Sequence, residues 1–333
     1  MLVGAIMVAV LATGVLTAPV PYVVLDPGPT VDTLGESNGE PVIEISGIET
    51  STSEGQLRLT TVGVNPDASL PEVIRGWLDR EEAVVPRELI YPPGQTREEI
   101  EERNQQQFTR SQTNAEAAAL RHLGYPTRLV VALVLEDAPA DGLLAEGDVI
   151  TSVDGVEVDG IAELQGEVTK HPPGTARTIG YLRDGEPGTV EITTAPDAQD
   201  GETPRIGVAV DVEVDVPFEL AIELDRIGGP SAGLMFALGI IDKLQPEDLT
   251  GGHIIAGTGS IDDEGNLSGV GGVPQKLVAA REIGASAFLV PAGNCDEAVR
   301  NAQPDLALIR VETLAGALDE LAALRSGEEL TRC

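Results

Sequence analysis

The chain has 333 residues, enough for two or three small domains with cores of their own. Its 21 Lys and Arg against 55 Asp and Glu give a formal net charge of −34, which argues against nucleic acid and anionic headgroups as partners. Only 3% of the residues are aromatic, so the cores must be built from Val, Leu, Ile and Ala.

Residues 1–18 are uncharged and apolar or small throughout, long enough to span a bilayer. The junction Leu16-Thr17-Ala18-Pro19 suits cleavage poorly, so residues 1–20 read as an uncleaved transmembrane anchor, with a cleaved signal as the alternative. No basic residue precedes the run, so charge does not orient it. A short N-terminal side favours a single-pass protein of the cell membrane with its bulk extracytoplasmic. Residues 21–37, rich in Pro and Gly, read as a stalk. Residues 38–124 follow as membrane-proximal strands and helices. "PVIEISG" and "GQLRLTTVGV" read as strands, "SLPEVIRGWLDREEAVV" as a helix carrying Trp77. A long amphipathic helix, or two, runs from about Thr96 to Leu123, with a capping box of Thr96 and Glu99 and a stop at Gly124.

Over residues 125–196 the pattern changes to short strands and regular turns, with hairpins around Asp154-Gly155 and Asp184-Gly185 and a helix "GIAELQGEVTK". A polar linker, residues 196–204, leads into a second region over 205–328 in which strands and helices alternate, α/β-like, within an overall α+β class. Cys295 and Cys333 permit one disulfide and no cysteine zinc site; sequence leaves their pairing open.

The chemistry concentrates in "RIGGPSAGLMFALG", residues 226–239, where Ser231 stands at the mouth of an apolar helix. It is either a helix cap or a nucleophile. The candidate bases are few: three histidines (His122, His171, His253) and three lysines (Lys170, Lys243, Lys276). No HExxH is present, and no lysine follows a glycine, which removes metalloprotease and P-loop chemistry. Lys276 stands at another helix start, among Val273, Leu277 and Val278. A helix N-terminus and apolar surroundings both lower an ammonium's pKa, and a lysine near roughly 7–8 can act as a general base. The helix start would in turn offer backbone N–H groups to an oxyanion at Ser231. On spacing alone, a capping serine and a solvated lysine remain open.

Two resemblances bear on the choice. "APADGLLAEGDVITSVDGVEVDGIAELQGEV" resembles a PDZ domain of the kind associated with bacterial proteases. That implies a peptide groove between Leu123, Gly124 and Tyr125, with the strand after them, and the helix Ile161 to Thr169. "GGPSAGLMFALGIID" with "IAGTGSIDDEGNLSGVGGVPQKLVAAREIGASAFLVP" resembles the proteolytic domain of the Lon family of Ser–Lys peptidases. It implies Ser231 as nucleophile, Lys276 as base, Thr258 as support for the lysine, and backbone amides near Gly229 and Ala232 as the oxyanion site. "GQLRLTTVGV" resembles the first strand of that domain, which would make the PDZ an insertion. The chain departs from the family in having Gly228 where many members carry an acidic residue, and in lacking an ATPase module. The combination is similar to membrane-anchored, PDZ-containing Lon-like proteases. It implies polypeptide substrates, a ring-like homo-oligomer, and no metal, nucleotide or other cofactor. The rival readings are a PDZ scaffold or chaperone on an inactive protease fold, and a Ser–Lys acyl hydrolase of the cell envelope.

Overall fold

The computed structural model describes residues 20–198, 200–224 and 228–333. The expected anchor, except Val20, and Arg226-Ile227 of the serine stretch lie outside the described residues. Among those described, no helix is long and apolar enough to cross a membrane. The described residues form two compact units: one within 20–112, 220–261 and 267–333, the other within 113–219 and the turn 262–266. The second is thus inserted into the sequence of the first.

The first unit is built on a six-stranded sheet in the order Ala307–Val311, Ala287–Pro291, Ile254–Gly257, Gln56–Asn65, Tyr22–Asp32, Ala83–Pro86. The first four are parallel, with Leu57 opposite Ile255; Tyr22–Asp32 runs antiparallel to both its neighbours. Ala287–Pro291 is buried at every position, as an unbroken apolar run in a covered parallel strand should be. The helix Gly233–Leu244 is buried from Gly233 to Asp242 and apolar on nearly every side, the pattern of a central helix. The helix Val273–Glu282 packs on the strands Tyr22–Asp32 and Gln56–Asn65.

The stalk expected over residues 21–37 is instead largely this sheet's Tyr22–Asp32 strand. Its prolines are accommodated because the register with Gln56–Asn65 breaks between Pro27 and Thr30, and because the Ala83–Pro86 strand reaches only Leu25. Thr61 Oγ1 donates to the Pro29 carbonyl within the break, at 2.6 Å. Cys295 and Cys333 are joined in a disulfide. It ties the C-terminal tail to the helix Cys295–Arg300, and the tail also meets the outer strand of the sheet, where Thr331 O accepts from Arg310 N–H at 2.8 Å.

In the inserted unit the strand order is Glu186–Thr193, Ala176–Arg183, Val149–Val153, Thr127–Val134, Val208–Val214, with the helix Ile161–Thr169 packed on it. Both expected hairpins form. Asp154-Gly155 and Asp184-Gly185 each have two positive φ values (52° and 81°, 53° and 83°), the two-residue turn that matches strand twist. Leu129, Val131, Ile150, Val153, Ile179 and Ile192 form its core. The expected boundary at 205 is corrected. Val208–Val214 pairs with Thr127–Val134 and closes this unit's sheet, and the linker 196–204 is folded into a short hairpin, Ala195–Pro196 on Pro204–Arg205, with an Arg205–Asp197 ion pair.

Candidate active site

Ser231 and Lys276 line one cleft of the first unit, with Gly228 to Ala232, Gly269 to Gly272, and Thr60 to Val64 of the strand Gln56–Asn65. Ser231 sits one residue before the N-cap of Gly233–Leu244. The N-cap is Ala232, with no side-chain cap, so the serine hydroxyl does not serve as the cap. Its backbone is clamped from two sides: Ser231 O accepts Gly259 N–H at 2.9 Å and Thr258 Oγ–H at 3.0 Å. The loop before it is held by the long helix Arg97–His122, whose Asn104 O accepts from Gly229 N–H (2.9 Å) and whose Ser111 Oγ donates to Pro230 O (2.9 Å). Gly229 has φ +88°, which suits a residue without a Cβ.

Lys276 is 3% exposed. It occupies the fourth position of Val273–Glu282, a helix begun by Gly272 in the left-handed region. A Cβ on Gly272 would stand 2.5 Å from Val62 Cγ2, so backbone angle and space both demand glycine there. Lys276 Nζ donates to Thr258 Oγ1 at 2.8 Å. Because the Thr258 proton goes to Ser231 O, this threonine can only accept from the lysine. A neutral amine would therefore keep its lone pair free. Burial lowers the Lys276 pKa from 10.5 to about 8. Among the described residues, no other ionisable side chain lines the cleft to offset that burial with an opposite charge. His122, His171 and His253 are all absent from its walls; His253 Nδ1 instead faces Ser286 Oγ at 3.3 Å on the surface. Sequence reading missed Asn104 and Ser111, which look like any polar residues of a solvated helix face.

The expected peptide-binding trio is corrected. Gly124, with φ +83°, ends the long helix, Tyr125 N–H donates to Leu120 O, and the Tyr125 ring packs edge-on against Phe218 at 5.6 Å. The strand after Leu123, Gly124 and Tyr125 has no free edge, because Val208–Val214 occupies it. The inserted unit's groove lies instead between Ile161–Thr169 and the segment Thr203 to Val210, lined by Ile161, Leu164, Val168, Ile206 and Val208.

Two family models match the chain. Residues 101–194 match the PDZ domain model, and residues 198–323 match that of the Lon protease (S16) C-terminal proteolytic domain. The chain is 36% identical to Lon protease of Clostridioides difficile over 121 residues, 35% of this chain and 14% of that protein. It is 33% identical to Lon protease 2 of Bacillus subtilis over 113 residues, 33% of this chain and 19% of that protein. To the periplasmic pH-dependent serine endoprotease DegQ of Escherichia coli it is 38% identical over 66 residues, 19% of this chain and 14% of that protein. Each match thus spans less than a fifth of the relative's own length. In sum, the chain carries a region that matches the PDZ domain and a region similar to the C-terminal proteolytic domain of Lon protease.

Proposed function

We propose that this chain is an ATP-independent serine endopeptidase, anchored in the membrane by residues 1–20 and acting outside the cytoplasm. Ser231 Oγ attacks the scissile carbonyl as neutral Lys276 takes its proton. The ammonium then protonates the leaving amine, and the neutral lysine activates the water that releases the acyl group. Thr258 orients the amine. Backbone N–H groups of Ser231 and Ala232 meet the oxyanion at the helix mouth, while the Gly229 N–H, expected to share that role, is held by Asn104 O. One observation carries the reading: a buried lysine of lowered pKa, hydrogen-bonded to a threonine that also grips the serine backbone. A scaffold on an inactive fold has no use for an amine whose burial costs stability.

The disulfide suits an oxidising compartment and so supports the extracytoplasmic placement. In the inserted unit the groove beside Val208–Val214 would take a polypeptide tail as an added strand, its apolar residues against Leu164 and Val168. Self-assembly into a homo-oligomer belongs to the same reading. A fluorophosphonate probe tests the chemistry. It should label Ser231 in the wild type and fail to label Lys276→Ala, and Ser231→Ala should lose peptide cleavage. Labelling at another residue, or turnover retained by Ser231→Ala, would refute it.

A further inference from the structure

The three most exposed large apolar side chains among the described residues are Leu78 (81%), Leu89 (68%) and Trp77 (59%). They are not scattered. Trp77 and Leu78 end the helix Leu70–Leu78, whose inner side buries Val73 and Gly76. Exposed Ile74 stands three and four residues before them, so one helix face carries all three. Leu89 lies on the short helix Arg87–Ile90. Both helices flank the point where the described chain starts. Trp77 meets the Tyr22 ring edge to face, centroids 5.7 Å apart, and Arg87 N–H donates to Pro21 O at 3.0 Å. Val20 and Tyr22 also pack against Val24, Ala68 and Val73. Tyr22 is four residues beyond Ala18, where the apolar stretch 1–18 meets Pro19, which allows at most ~14 Å of extended chain.

We propose that Ile74, Trp77, Leu78 and Leu89 seat in the headgroup region of the bilayer that holds residues 1–18, fixing this unit against the membrane surface. The inference rests on the proposed anchor. If that run spans a bilayer, the short connection keeps Trp77 close to the interface, where tryptophan and tyrosine settle most favourably. The net charge of −34 makes a zwitterionic surface the fitting one.

Trp77 is the chain's only tryptophan, so its emission reports this face alone. The full chain is placed in phosphatidylcholine vesicles, with and without bromine high on the acyl chains. Brominated lipid should remove most of the Trp77 emission, and the full-chain variant Leu78→Asn/Leu89→Asn should recover most of it. Both substituted positions are exposed, so the variant has no core to lose. Quenching that persists in the variant would mean the anchor alone drags the indole to the lipid, and would overturn the inference. So would unquenched wild-type emission from a chain that resists carbonate extraction, with the anchor left standing. In that case, emission that shifts with protein concentration identifies a second copy on this face. A chain extracted by carbonate overturns the anchor and the inference together.

Discussion

Replacing Lys276 by Met tests the buried amine through both activity and stability. With a pKa of about 8, Lys276 is neutral at pH 7 in about one molecule in ten; at 10.5 it would be neutral in about one in three thousand. The rate with a small peptide, as kcat/KM, should therefore rise about tenfold per pH unit below pH 8 and level off above it. The Met variant should be inactive throughout. Stability responds in a definite direction. The folded state binds the proton less tightly than the unfolded chain, so below pH 8 the wild type holds a buried ammonium at a cost of about 3 kcal/mol. That cost falls away as pH rises from about 8 to about 10.5, where the unfolded chain carries more protons and stability climbs. Met removes the charge and also the hydrogen bond to Thr258, worth about 1 kcal/mol, which leaves a net gain of about 2 kcal/mol at pH 7. Urea unfolding of both proteins from about pH 6 to about pH 11 should show this gain shrink to nothing and change sign. A gain that does not vary with pH, or a rate limb that moves when the three histidines are replaced, would refute the neutral-lysine reading.

Other outcomes follow from the same geometry. Gly272→Ala should destabilise the fold by about 1–3 kcal/mol and depress cleavage, and Val62→Ala should restore only part, since φ +71° remains; urea midpoints and peptide turnover measure both. Cys295→Ser/Cys333→Ser should lower stability by up to about 4 kcal/mol for a 38-residue loop and expose the tail after Gly327 to proteolysis, read by mass spectrometry. Leu164→Asp should weaken cleavage of a protein ending in an apolar tail about tenfold or more and spare a short peptide; equal loss on both would mean the groove does not select substrates. N-terminal sequencing of the membrane fraction should find residues 1–20 still attached; a start between residues 19 and 25 with the protein in the medium would mean the run is cleaved.

The candidate site was legible because its parts are local. Gly229 to Gly233 and Gly271 to Lys276 each carry a helix start and its chemical group within six residues, and Thr258 lies on a short strand end between them. What sequence hid was long-range pairing. Val208–Val214 completes the inserted unit's sheet, yet it follows a polar stretch and reads as the opening of the next domain. That shift moved the predicted groove to Leu123, Gly124 and Tyr125. Tyr22–Asp32 was hidden by Pro27, Gly28 and Pro29, whose turn-like composition is absorbed by a register break. The buried face of the long helix was visible as an apolar stripe. That Asn104 and Ser111 would hold the serine loop depends on tertiary packing, which no local pattern encodes.

The pairing of Leu57 with Ile255 also sets a clock. Ribosomes add about 5–20 residues per second, so the strand Gln56–Asn65 waits on the order of 10–40 s before its parallel neighbour Ile254–Gly257 has been made. The inserted unit, contiguous but for one turn, has its whole sheet synthesised within that interval. Thr258 and Lys276 come after the wait, and the disulfide partner Cys333 comes last of all. Under the proposed function, a nascent chain released early would thus carry a finished inserted unit and an incomplete Ser231–Lys276 site. Truncated products should compete for substrates without cutting them.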